Sequence, residues 1–188
     1  MVQLASWMEE ARSAGEHEPE AMALATAGPE GAPSVRIVLC RGIGPEGLRF
    51  YTNYTSRKGR ELASNPRAAA SFHWKAAGRQ VRVEGEVTKV SPADSDAYFA
   101  QRPRGNQLGA WASPQSSVIE SLEIVRAAQR KAAADFAGKE VPRPPHWGGY
   151  LLRPTAVEFW RAGDDRIHER VRHERLAGDA WSAVRLAP

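Results

Sequence analysis

Cysteine is nearly missing from this chain. Cys40 stands alone among 188 residues. One thiol closes no disulfide within the chain, and no CxxC pair begins a metal framework. That usage suits a reducing cytoplasm, the expected location. Long apolar runs are missing too. No stretch has the length of a membrane-spanning helix, and no basic-then-apolar leader is read at the start, so no membrane partner is expected. Nucleotide signatures are absent: there is no strand–GxGxxG–helix unit and no GxxxxGK[ST] loop. His17, His73, His146 and His173 lack metal-ligand spacing, so no metal is expected. Acidic surplus is lacking as well. The 26 Lys and Arg against 22 Asp and Glu leave a net charge of +4. The excess is small and is not gathered into a tail. It points to discrete anion sites and away from a nucleic-acid surface.

What is present reads as one compact domain over 1–188, with an N-terminal helix within 1–17. Ser6 to Gly15 has helical patterning, with Ser6 as its cap. Strands are predicted over Ala21–Ala27, Val35–Cys40, the run LRFYTNY, Arg67–Trp74 and Arg79–Val90. Two GPEG segments sit at turns. A helix is predicted from Ser56, another from Ser91-Pro92 to about Gln101, and a longer one from the capping box Ser117-x-x-Glu120 to Gly138. YLLRP, AVEFW, RIHERVRHERL and AWSAVRL read as further strands. Short antiparallel strands with a few helices imply an α+β antiparallel barrel or strongly curled sheet with peripheral helices.

Four features could carry chemistry. The helix at Ser56 opens on Arg57, Lys58 and Arg60, although a helix N-terminus prefers acidic neighbours. A bound phosphate would resolve that conflict, and a solvated basic turn would equally account for it. If RIHERVR is a strand, Arg166, His168, Arg170 and Arg172 share one face. An anionic ligand would relieve their repulsion; an exposed face is the alternative. Tyr98 and Arg102 lie four apart at a helix end and suit a phosphate, or simply a packed tyrosine behind an arginine. Arg36 interrupts the apolar run VRIVLC; buried it would need an anionic partner, and on an edge strand it would face outward. Cys40 has no evident partner base, and the adjacent Asp164 and Asp165 read as a turn.

In order and spacing, the segments EPEAMALAT, RIVLCR, FYTNYTSRKGRELASNPR, GRQVRVEGEV, YFAQRPRGNQLGAWAS, PQSS, WGGY, VEFW, RIHER and RLAP closely resemble the pyridoxine (pyridoxamine) 5′-phosphate oxidase family. The resemblance covers 18–188. It implies an FMN-binding split barrel and a homodimer with FMN between subunits. It assigns Arg36, Ile37, Val38, Leu39, Cys40, Tyr51, Thr52, Arg57, Lys58, Gln80, Gln115, Ser116, Trp160 and Arg170 to FMN. Arg41, Tyr98, Arg102 and Asn106 would hold the substrate phosphate, and Arg166 and His168 would bracket the substrate pyridine as catalytic residues.

The implied reaction oxidises pyridoxine or pyridoxamine 5′-phosphate to pyridoxal 5′-phosphate. A hydride passes to FMN, and dioxygen is reduced to hydrogen peroxide. A flavin oxidase of another substrate, such as a dihydrophenazine precursor, and a non-catalytic flavin or pyridoxal phosphate binder remain alternatives. Two positions depart from the family. Arg41 stands where lysine is usual, and Asn106 where serine is usual. Members often carry an additional N-terminal segment over the substrate, and no counterpart is identified here.

Overall fold

The computed structural model describes residues 1–188, the Asp179 side chain excepted. Alternation of apolar and polar residues sets its strands. β1 (Ala21–Ala27) turns Met22, Leu24 and Thr26 inward, and β5 (Arg67–Trp74) turns in Ala68, Ala70, Phe72 and Trp74. β2 (Pro33–Leu39), β3 (Gly42–Gly44), β4 (Gly47–Asn53), β6 (Arg79–Lys89), β7 (Trp147–Arg161), β8 (Glu169–Arg175) and β9 (Trp181–Arg185) complete one nine-stranded sheet. Its main path runs β2-β1-β5-β6-β7-β4-β3, with β8 on β7 and β9 on β8. Every pairing is antiparallel. With its peripheral helices this is the α+β split-barrel architecture that the strand pattern and the resemblance imply.

β7 organises the sheet. YLLRP and AVEFW are not two strands but parts of this one 15-residue strand. Pro154 interrupts the pattern without ending it. The β6 register shifts between Glu84 and Gly85, where Gly85 faces Pro154. A Cβ on Gly85 would lie 2.0 Å from the Arg153 carbonyl oxygen, so only glycine lets the strands pass there. β7 pairs β4 through its first residues, from Trp147 to Leu152. It pairs β8 through its last, from Ala156 to Arg161.

Five α-helices flank the sheet: α1 (Val2–Ser13), α2 (Arg57–Ser64), α3 (Pro92–Ala100), α4 (Arg104–Ala112) and α5 (Leu122–Asp135). α1 begins earlier than its sequence suggests. Ser6 is interior and its hydroxyl donates to Glu10 at 3.1 Å, while Leu4, Trp7, Met8 and Ala11 enter the main core. α4 has no predicted counterpart, because Pro103 caps it without a side-chain hydrogen bond. α5 starts after the expected capping box. Ser116 has a left-handed φ of 70°, and the Ser117 N–H closes that turn on the Pro114 carbonyl at 2.9 Å. α3, α4 and α5 enclose a second cluster, in which Phe99, Leu108 and Ala132 pack with Trp147.

Candidate functional site

α2 starts where Asn53 and Ser56 fix the chain. Asn53 Oδ1 accepts the Thr55 N–H and hydroxyl, each at 2.7 Å. The Ser56 hydroxyl accepts the Gly59 N–H at 3.3 Å, as an N-cap does. Gly59 is required by packing: a Cβ there would lie 2.1 Å from the Tyr54 carbonyl oxygen.

The three cations of this turn part company. Arg60 folds back onto the Thr55 carbonyl. Arg57 Nε donates to Glu61 at 2.9 Å, one helical turn on. Lys58 is buried, and its Nζ reaches only neutral oxygens: Thr52 at 3.2 Å, Ser56 at 3.4 Å and Gln115 at 3.1 Å. Burial, reinforced by the charge of Arg36, holds the Lys58 ammonium down to about 8.

Glu61 supplies the acid that the turn lacks. Its carboxylate accepts from Thr26 at 2.5 Å, Ser34 at 2.7 Å and Arg36 at 3.4 Å. Burial pushes this carboxyl up, but hydrogen bonds from Ser34, Thr26 and Arg57 and the charge of Arg36 outweigh it, to about 2. Arg36 therefore has an anionic partner within the chain, and its guanidinium also donates to Thr26 and to the Leu24 carbonyl.

A cavity of about 560 Å³ opens beside Lys58. Ile37, Val38 and Leu39 of β2 line it, with Arg41 just after them in the chain. β4 contributes Tyr51 and Thr52, and Gln115 closes one end. The end of α3 adds Tyr98, the link after it Arg102, and the first turn of α4 Asn106. Eleven of the expected site residues thus meet in one place. Its lining holds three cations, Arg41, Lys58 and Arg102, and no carboxylate. Tyr51 and Tyr98 stack at 3.8 Å, and Trp147 lies parallel to both. Arg102 Nη1 is buried with no hydrogen-bond partner among the described residues. Such a donor set, aromatic walls plus unanswered positive charge, fits a planar ligand carrying phosphate.

The remaining expected residues lie elsewhere. Arg36 and Arg57 are engaged by Glu61, outside the cavity lining. Cys40 is buried, its thiol pushed up by that burial, and faces the side of α1. Ser116 is exposed beside Gln115. Gln80, Trp160 and Arg170 form a separate group, because Gln80 pairs with Trp160 and Trp160 with Arg170 across three strands. His168 joins them, 4.6 Å from the Trp160 ring. Trp147 and Trp160 stand at opposite ends of β7, separated by roughly 40 Å of strand.

RIHERVR is only partly a strand. β8 begins at Glu169, and Arg166 lies in a 3-10 turn with φ 64° after Asp165 at 53°. Two non-glycine residues in the left-handed region make this a constrained turn. The Asp164–Asp165 turn is as expected. Two of the four basic residues are already answered within the chain. Arg170 donates to Glu158 at 2.8 Å, and Arg172 binds both Glu84 oxygens at 3.0 Å. Glu84 and Glu158 sit on neighbouring strands, where a reading of one segment cannot place them.

Sequence reasoning passed over Gln101, Pro103 and Trp147 in the cavity and Glu61 beside it. Gln101 and Pro103 flank Arg102, Trp147 opens WGGY, and Glu61 stands one turn after Arg57. Those adjacencies were the available signals.

Residues 8–134 match the family described as pyridoxamine 5′-phosphate oxidase. Residues 147–188 match one described as the pyridoxine 5′-phosphate oxidase C-terminal dimerisation region. A curated relative from Cupriavidus metallidurans, named pyridoxine/pyridoxamine 5′-phosphate oxidase, is 50% identical over 186 residues, spanning 99% of this chain and 87% of its own. A relative of the same name from Rubrobacter xylanophilus is 51% identical over 186 residues, spanning 99% and 85%. PhzG from Burkholderia lata 383, solved in complex with tetrahydrophenazine-1-carboxylic acid, is 35% identical with a TM-score of 0.94, covering 100% of this chain and 91% of that one. A pyridoxamine 5′-phosphate oxidase-related, FMN-binding protein from Nostoc punctiforme shares the fold at a TM-score of 0.77 and 20% identity, covering 97% and 96%.

Proposed function

The chain belongs to the pyridoxamine 5′-phosphate oxidase family, and from that premise we propose that it oxidises pyridoxine or pyridoxamine 5′-phosphate to pyridoxal 5′-phosphate, with FMN as cofactor and dioxygen as acceptor. The observation that carries the reading is the cavity lined by Arg41, Lys58 and Arg102 and by no acid. Three cations around one space repel one another unless solvent or an anion intervenes, and an anionic ligand would relieve that repulsion.

The residues present fit FMN. Lys58 and Arg57 would hold its phosphate, with Arg36 near that end. Ile37, Val38, Leu39, Tyr51, Thr52 and Gln115 would follow its length, with Ser116 next to Gln115 and Cys40 outside that lining. Bound FMN would supply the hydride acceptor and, with dioxygen, the route to hydrogen peroxide. Arg41, Tyr98, Arg102 and Asn106 would take the substrate phosphate and so fix the reacting carbon.

Gln80, Trp160 and Arg170, with the catalytic pair Arg166 and His168, would complete the site from a second copy, since one chain holds the two groups at opposite ends of β7. Exposed Ile167, Leu176, Trp181 and Val184 fall within the matched dimerisation region and would be covered by that copy. His168 Nδ1 accepts the Gly163 N–H at 3.3 Å. A neutral ring then keeps its proton on Nε2 as a donor toward the substrate.

A second reading is oxidation of a dihydrophenazine-type substrate, supported by the likeness to PhzG. Four phosphate-binding candidates in one cavity favour the first reading. Purified protein should show flavin absorption bands after incubation with FMN. It should release peroxide in steady-state turnover with both B6 phosphates. Flavin bands without turnover of either would overturn the first reading.

A further inference from the structure

Arg102 is held in an unusual way. Its Nη1 is buried and unpaired among the described residues. Burial pushes its pKa down, Tyr98 opposes that, and Arg41 adds to it. The guanidinium rests instead on an aromatic face, with Cζ 4.5 Å from the centre of the Trp147 ring and 5.5 Å from that of Phe99. A guanidinium held by its face keeps its edge N–H groups free, whereas one held by a carboxylate has them occupied.

Trp147 also orders the tyrosines. Its ring lies within 4° of parallel to Tyr98 and 13° of parallel to Tyr51. The indole is itself fixed. Trp147 is buried, and its carbonyl accepts Arg143 Nη1 at 2.6 Å. Arg143 Nε binds Asp96 at 2.7 Å, on the helix that carries Tyr98.

We propose that Trp147 is a positioning residue for phosphate recognition. It sets the plane of the Arg102 guanidinium and the ring of Tyr98, so that both present donors to the phosphate of the substrate. The inference rests on reading the cavity as the site of a phosphorylated substrate.

The test uses the full-length protein saturated with FMN and inorganic phosphate as probe, followed by calorimetry. Trp147→Leu should weaken phosphate binding by about tenfold, the scale of a buried cation–π contact. Trp147→Phe, which keeps an aromatic face, should retain most of the affinity. In an Arg102→Lys background each change should weaken phosphate binding clearly less than in the parent, because the guanidinium plane is gone and only the Tyr98 ring is left to position. In turnover of pyridoxine 5′-phosphate, Trp147→Leu should raise KM in the same proportion and leave kcat nearly unchanged. Unaltered phosphate affinity in Trp147→Leu, or an equal loss with Arg102→Lys already present, would overturn the proposal. If Trp147→Leu does not fold, the smaller Trp147→Phe effect carries the same comparison, and its undiminished persistence in Arg102→Lys counts against positioning. The phosphate result stands apart from turnover. Its success in a protein that does not oxidise pyridoxine 5′-phosphate would retain Trp147 and reject the proposed reaction.

Discussion

Burial holds the Lys58 ammonium down to about 8, and its hydrogen-bond partners Thr52, Ser56 and Gln115 offer neutral oxygens. A lysine in that position is charged below pH 8 at the expense of the fold. A phosphate beside it removes the conflict by favouring the charged form. FMN affinity should therefore be highest between about pH 6, where the phosphate becomes dianionic, and pH 8, and should fall as pH rises past Lys58. Fluorescence titration of FMN across pH checks this. Lys58→Ala should weaken binding by about tenfold or more and flatten the alkaline limb. Arg57→Ala should cost less, because Glu61 already engages that guanidinium, and Arg60→Ala should change nothing. The charges of this turn were legible in SRKGRE, but their division into one buried lysine, one paired arginine and one surface arginine was not. That division depends on Glu61, Thr52 and Gln115, whose placement is tertiary.

α2 is tied to β1 and β2 by the Glu61 carboxylate, which receives Thr26, Ser34 and Arg36, and by Leu62 in the core. Its folded-state pKa, near 2, is below the unfolded value. Its contribution is thus complete above about pH 4.5 and is lost as pH falls toward 2. Glu61→Gln should lower the melting temperature at pH 7, and the gap to the parent protein should close by pH 3 or below in thermal melts. At this scale the sequence was most readable where the period was clean: Ala21–Ala27 and Arg67–Trp74 are strands with the expected bounds. It failed at α4, where Gly105 and Gly109 depress helix propensity and no side chain caps the start. It failed again at Pro154, which reads as a break unless the bulge at Gly85 is known.

The whole molecule presents two groups of candidate residues, one at each end of β7. If two copies complete each site, variants broken in different groups should rescue one another. Lys58→Ala and His168→Ala, each with little activity alone at an FMN concentration too low to load Lys58→Ala, should regain about a quarter of parental activity when unfolded and refolded together. Half of the randomly paired dimers are mixed, and each of those has one intact site of two. Assay of the mixture against each variant alone checks this; no recovery would argue for sites built within one chain. An antiparallel barrel or curled sheet was legible from the strand pattern and the split barrel from the family resemblance, while the separation of Trp147 from Trp160 required knowing that a single strand joins them.

That joining strand has a consequence for how the protein tolerates change. In the proposed twofold assembly β7 acts as a ruler whose ends serve different catalytic centres. Its length is set once, by the glycine-and-proline crossing at Gly85 and Pro154. Deleting one residue on either side of the crossing would turn the following side chains to the opposite face. Both centres would be damaged by a single event in neither of them. Lineages of this chain should therefore vary the chemistry at either end of β7 by substitution and leave the number of residues between those ends alone.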